Sequence, residues 1–206
     1  MKLSFLFLTS SLFFAQNVLA EAPRVGRDAA ARYFQREPSQ EVAMPAGPRD
    51  HYLALHIGKF MNGQSWEWGR GGRVDDTGGM SFGVTYRLYE YSNSSDVALR
   101  VDFNDYKAVG EKPLKMSLMP MFMFPDANSR FPLYFGAGAG LGVFFKQVKD
   151  ESALSFDYQL IAGARFFDVF ENTGFFFETG LKNHVLLTTS GQFNGVFLSG
   201  GAVFTF

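Results

Sequence analysis

Apolar and polar residues alternate at every second position over most of the chain that follows His51. The clearest segment sets Met80, Phe82, Val84, Tyr86 and Leu88 against Ser81, Gly83, Thr85, Arg87 and Tyr89. Successive side chains point to opposite faces of a strand, whereas a helix repeats its apolar residues at i, i+3 and i+4. The alternation over these ten residues therefore predicts a β-strand with one apolar face.

Seven further segments show the same alternation. They lie at 52–58, 97–104, 114–124, 133–146, 154–167, 175–184 and 196–206. Most are long enough to cross a bilayer as tilted strands, which takes about 9–11 residues, whereas soluble strands average about 5–6. An even number of strands would return both ends of the barrel segment to the same, periplasmic, side. The sequence thus predicts an all-β fold, an antiparallel up-and-down transmembrane β-barrel of about eight strands.

The polar faces of these strands need a place away from lipid. A sheet in a membrane must close on itself, since lipid offers no partner to backbone N–H and C=O groups. A barrel of about eight strands has an interior just wide enough for side chains. The predicted inward set is His56, Arg87, Arg100, Asp102, Asn104, Lys115, Asp157, Gln159, Arg165, Glu178 and Lys182. Because it mixes both signs, we expect its charges to pair and plug the lumen; a charged conduit or gate is the alternative.

Periodicity alone does not distinguish this barrel from a soluble lipocalin-like barrel, whose apolar residues point inward. The 25 phenylalanines among 206 residues, the terminal Phe206 and the lack of cysteine favour the membrane barrel. We therefore expect Leu99, Tyr158 and Phe177 to face lipid. External loops of such barrels are longer than periplasmic turns, so the long connection at 61–79 is expected on the external side.

The first 49 residues differ from the rest. Lys2, an apolar run to Ala15 and the ending Val18-Leu19-Ala20 predict a signal peptide at 1–20 and a mature chain beginning at Glu21. Charged residues follow, and Pro38, Pro45 and Pro48 break any regular structure, so 21–49 is expected to be a largely disordered periplasmic extension. A short plug or cap at the barrel mouth is the alternative. Residues 50–206 are then the barrel.

Four segments carry a resemblance to a known family. They are Tyr134-Phe-Gly-Ala-Gly-Ala-Gly-Leu-Gly-Val-Phe, Gly163-Ala-Arg-Phe-Phe, Phe177-Glu-Thr-Gly-Leu and the ending Leu198-Ser-Gly-Gly-Ala-Val-Phe-Thr-Phe. In these segments the chain resembles the OmpA/OmpX-like outer-membrane β-barrels. The resemblance implies a bacterial outer-membrane location, with membrane lipids and lipopolysaccharide as neighbours. It also implies that the last strand, ending in Phe206, is read by the barrel assembly machinery.

Candidate chemistry is sparse. A net charge of -1 argues against a nucleic-acid partner. The alternate glycines Gly136, Gly138, Gly140 and Gly142 lack the following helix of a phosphate loop, so they are interpreted as small interior residues. The adjacent carboxylates Asp75 and Asp76 could hold a divalent cation but are interpreted as solvated.

Three residues near the end of the chain are candidates for a catalytic arrangement. A lipid A hydrolase of the deacylase type needs a serine activated by a histidine, with an acid orienting that histidine. Ser190, His184 and Glu178 could supply it, although the short His-x-Ser spacing is absent because residue 186 is leucine. We therefore predict no catalytic, cofactor-binding or metal site. The predicted role is structural or surface interaction, with a lipid A hydrolase or a narrow solute channel as alternatives.

Overall fold

The structure is a computed structural model that describes residues 50–92 and 94–206. The predicted signal peptide and the predicted extension at 21–49 lie outside the described residues and stay predictions. No helix long and apolar enough to cross a membrane occurs in the part of the chain that is described.

Nine antiparallel strands form one sheet in the described part of the chain. They are β1 (Tyr52–Trp66), β2 (Arg73–Asp75), β3 (Gly78–Tyr91), β4 (Ser95–Tyr106), β5 (Leu114–Phe124), β6 (Leu133–Lys146), β7 (Leu154–Phe170), β8 (Thr173–Leu186) and β9 (Gln192–Thr205). The short β2 pairs only with the last three residues of β1, and the eight long strands pair in a ring that β1 and β9 close. The predicted eight-stranded antiparallel barrel is confirmed.

Closure removes every free strand edge from the apolar zone. The register of β1 and β9 runs from Tyr52 opposite Thr205 to Trp66 opposite Gln192. Tyr52 and Thr205 therefore lie at one end of the barrel, together with the short turns that precede β4 and β8. Since short turns are periplasmic in barrels of this kind, we call this the periplasmic end and the opposite one the external end.

Burial alternates along the strands, with the polar residues inside. In β5, Lys115 and Ser117 are buried, while Leu118 and Phe122 are about half exposed at 47% and 55%. A soluble protein shows the reverse, because charged residues are almost never fully buried without partners. The apolar exterior and charged interior mark a membrane barrel and exclude the lipocalin-like arrangement.

The predicted faces hold for most of the barrel. All eleven residues of the predicted inward set are buried. Tyr158 and Phe177 are exposed on the outer face, and Leu99 is half-buried there. Both faces of β5 carry methionine, since Met116 faces outward while Met119, Met121 and Met123 are buried inside.

One predicted face is wrong. Tyr89 was expected to share the inner face with Arg87, but its side chain is 53% exposed. The register of β3 against β4 shifts between Arg87 and Tyr89. This bulge inserts an extra residue and turns the following side chains to the other face, which strict alternation does not foresee.

The alternate glycines of β6 lie on the crowded inner side of the strand, as expected. A β-carbon at Gly138 would meet the Met121 side chain, and one at Gly142 would meet the side chains of Ser155 and Asp157. Small residues at these inward positions therefore leave room for the larger side chains that cross the lumen from neighbouring strands.

The outward face can be tested at mid-strand. Phe177→Arg should lower the free energy of unfolding by about 2–4 kcal/mol, because it places a charge near the bilayer midplane. Phe170→Arg is the control, since Phe170 ends β7 at the periplasmic rim, where the cost should be about 0–1 kcal/mol. Equilibrium urea unfolding from phospholipid vesicles measures both. Equal small costs at the two positions would contradict the assignment of faces.

Candidate functional site: a sealed lumen

The middle of the lumen is organised around Asp102 on β4. Its carboxylate lies 3.1 Å from Arg100 Nε and 2.9 Å from Lys182 Nζ. The Nε2–H of His56 donates to Asp102 Oδ1 at 2.8 Å, since a carboxylate can only accept. Donors from β1, β4 and β8 thus converge on one buried carboxylate. These side chains meet because inward positions alternate along each strand.

Glu178 on β8 completes this middle layer. Arg100 Nη2 donates to Glu178 Oε1 at 2.5 Å, which links Glu178 to the Asp102 group. The hydroxyls of Tyr134 and Ser199 donate to the same carboxylate at 2.9 and 3.0 Å. The two acids and their cations are all buried, so the ion pairs are shielded from solvent and from salt.

A second charged group lies nearer the external end. Lys115 Nζ donates to Asp157 Oδ1 at 2.9 Å, and Ser155 donates to the same carboxylate at 2.6 Å. Ser117 donates to Asp157 as well. The ammonium of Lys115 also donates to His184 Nδ1 at 3.0 Å. The proton of the neutral His184 ring is then on Nε2, which has no hydrogen-bond partner among the described residues.

A third charged group closes the periplasmic end. Arg87 Nε lies 2.7 Å from Asp96 Oδ1, and Arg87 also donates to the Asp50 carbonyl at 2.9 Å. Arg165 donates to the Pro125 carbonyl at 2.6 Å and to the Tyr52 hydroxyl at 3.2 Å. These bonds fasten the ends of the barrel and the β5–β6 turn across the opening.

Apolar groups cover the periplasmic opening. They are Tyr52, Ala54, Ala127, Phe176 and Val203, with Phe167 packed against them. Ala127 comes from the turn at 125–132 and is fully buried. Between this cover and the Arg100–Glu178 pair, a cavity of about 20 Å³ is left. That volume holds a single water molecule.

An aromatic cap covers the external opening. Trp68, in the loop after β1, is 1% exposed and lies with its ring centroid 5.0–5.6 Å from those of Tyr106, Phe144 and His184. Its indole N–H donates to Gln147 Oε1 at 3.1 Å. Trp68 therefore folds inward from its loop and does not lie in the membrane belt. Trp66 is half-buried at the end of β1.

The cap is tethered by Glu151. One carboxylate oxygen accepts the Gly69 N–H at 2.5 Å, and the other accepts the Thr189 hydroxyl at 2.5 Å. The external loops that follow β1, β6 and β8 are thereby joined by a single side chain. Both bonds are charge-assisted, so they are stronger than bonds between neutral groups.

The structure does not bring Ser190, His184 and Glu178 together as a hydrolase site would require. Ser190 is exposed and makes no hydrogen bond to His184, whose ring stacks among aromatic rings under the cap. Glu178 is bound to Arg100, Tyr134 and Ser199. Asp75 pairs with Arg73 at 2.8 Å. No cluster of three metal-ligating side chains occurs in residues 50–92 and 94–206.

No protein-family model matches the chain, and no curated protein sequence matches it either. Several solved structures are similar to it, among them three barrels. The outer-membrane enzyme PagL is 14% identical to this chain, with a TM-score of 0.45. The match covers 72% of this chain and 97% of the PagL chain. Ail of Yersinia pestis is 15% identical, with a TM-score of 0.41, covering 75% and 99%. The N-terminal β-barrel domain of Pseudomonas aeruginosa OprF is 16% identical, with a TM-score of 0.38, covering 72% and 96%.

Closed antiparallel barrels with an apolar exterior and an even number of strands belong to the bacterial outer membrane. The eight long strands, their alternating burial and the closure between β1 and β9 meet each of these conditions. The protein is therefore an integral outer-membrane barrel, and its paired interior charges fill the lumen. The OmpA/OmpX-like resemblance agrees with this architecture at the level of a small barrel.

Removing Glu178 should be costly. Glu178→Ala leaves Arg100 buried without one of its two acids, and losing one partner of a buried ion pair costs about 3–5 kcal/mol. Lys149→Ala is the control, because Lys149 is exposed in the β6–β7 loop and should change stability by less than about 0.5 kcal/mol. Glu151 is unsuitable as a surface control because it tethers the cap. Urea unfolding in vesicles gives both values, and similar values would contradict a dry, paired interior.

Proposed function

We propose that the protein is a non-conducting structural barrel that anchors a rigid external surface in the outer membrane. The observation that carries this proposal is the filled lumen, in which two charged groups lie below an aromatic cap and a third lies at the level of the apolar periplasmic cover. Each level is crossed by side chains from several strands, so solutes find no continuous aqueous path. This closure argues against the narrow solute channel.

The side-chain contacts also argue against a lipid hydrolase. Such an enzyme needs a hydroxyl within hydrogen-bond reach of a histidine. In the described part of the chain, the histidine rings hydrogen-bond to the Arg87 carbonyl, Tyr86, Asp102 and Lys115, and no serine or threonine bonds to them. His184 and His56 are buried inside the lumen, away from the lipid-facing surface.

The external surface supports a role in interaction. Its loops are joined by the Glu151 bonds and by the Trp68 cap, so they keep a fixed shape. A preordered surface loses less conformational entropy when a partner binds. Its exposed charges have both signs, with Arg70, Arg73 and Lys107 beside Asp75 and Asp76.

The membrane supplies the remaining partners in this proposal. Outer-membrane lipids and lipopolysaccharide surround the apolar face. Phe206, 67% exposed, stacks beside Tyr86 and His51 at the periplasmic rim, where the last strand closes the barrel. We propose that the barrel assembly machinery reads this terminal strand during insertion.

Conductance in planar bilayers tests the closed lumen. Purified wild-type protein should show no steady single-channel steps, with an open porin as the positive control. Trp68→Ala removes the external cap but leaves the charged groups below it, so it should also remain silent. Large and stable steps from the wild type would overturn the proposal and favour a conduit. Steps from Trp68→Ala alone would show that the cap is the barrier and the charged groups are not.

A further inference from the structure

The lipid-facing wall carries a groove between β5, β6 and β7. Its volume is about 450 Å³, within the range of roughly 300–1,000 Å³ that small-ligand sites occupy. The walls include Phe122 and Phe124 of β5, Phe135 of β6 and Leu160 of β7. Ala137 lies opposite both Phe122 and Leu160 in the sheet, so a methyl group stands between two large side chains.

The position of the groove limits what can fill it. Phe122, Phe124 and Phe135 are each more than half exposed on the outer face, so the groove opens toward the hydrocarbon of the bilayer. Phe124 pairs with Phe135 next to the β5–β6 turn, which places one end of the groove at the periplasmic rim. An occupant must therefore be narrow, apolar and part of the periplasmic leaflet. A second barrel presents a convex wall, and it gains no hydrophobic driving force in lipid.

The turn that joins β5 to β6, next to the periplasmic end of the groove, carries a cation. The turn at 125–132 carries two charged residues: Asp126, which is half-buried, and Arg130, which is exposed. Arg130 makes no ion pair with any described residue. A guanidinium forms bidentate hydrogen bonds to phosphate. Ser95, which also lines the groove, offers a hydroxyl at the same rim.

We propose that this groove binds one phospholipid of the periplasmic leaflet. An acyl chain lies over Ala137 between the aromatic walls, and the headgroup phosphate lies at Arg130. This site is independent of the sealed lumen, because it is on the outer wall and uses none of the interior charges.

Native mass spectrometry of the whole protein in mild detergent tests the site. The probes are phosphatidylethanolamine and a diacylglycerol with the same acyl chains, each titrated separately. Wild-type protein should retain one phosphatidylethanolamine molecule. Ala137→Phe fills the groove and should reduce retention of both probes to the background level. Arg130→Gln should weaken phosphatidylethanolamine about fivefold, the upper range for one exposed ion pair, and leave diacylglycerol unchanged.

Ala139→Phe is the matched control, because Ala139 is on the same outer face of β6 but outside the groove. It should retain lipid as the wild type does. If Ala137→Phe fails to fold, Ala137→Leu replaces it with the same expectation. Equal retention by the variants at 137 and 139 would overturn the site, and an unchanged phosphatidylethanolamine affinity in Arg130→Gln would overturn the headgroup contact. A dimer of the wild type that Ala137→Phe abolishes would assign the groove to a second copy and refute the proposal.

Discussion

The pairing of Arg100 with Asp102 and Glu178 is the interaction on which the interior of the barrel depends. Lipid surrounds the sheet, so the polar face of every strand must turn inward, and a barrel of eight strands leaves little room for water there. An isolated charge in that space would carry a large desolvation cost. Asp102 and Glu178 offset this cost by accepting hydrogen bonds from His56, Arg100, Lys182, Tyr134 and Ser199. These bonds join five strands through side chains.

The two covers protect this network from solvent. Trp68 and the surrounding rings seal one end, and the Tyr52 group seals the other. Exclusion of water strengthens each ion pair, because the effective dielectric constant falls, and it also makes each unpaired charge more costly. Stability and closure of the lumen are therefore coupled: the same side chains that hold the strands together leave no path through the barrel.

Strict alternation made the strands, the inward set and the outer face predictable from sequence. Features that depend on contacts between different strands or loops could not be predicted from the alternation within one segment. The bulge at Tyr89 depends on the pairing of β3 with β4, and β2 has only three residues, too few to show a period. Trp68 offered one signal, since a large apolar residue in a Gly-rich polar loop needs somewhere to be buried. No sequence pattern indicated the Glu151 tether, because its partners lie in two other loops. The groove over Ala137 likewise depends on side chains from three strands.

A double-mutant cycle on Arg100 and Glu178 tests the sealed, paired interior most directly. The single variants Arg100→Ala and Glu178→Ala and the double variant would be unfolded from vesicles by urea. We expect the double variant to lose far less stability than the sum of the two single losses, with a coupling of more than about 1.5 kcal/mol, because each single change strands the partner charge. Losses that add to within about 0.5 kcal/mol would mean that water reaches both charges, and the account of a closed lumen would be wrong.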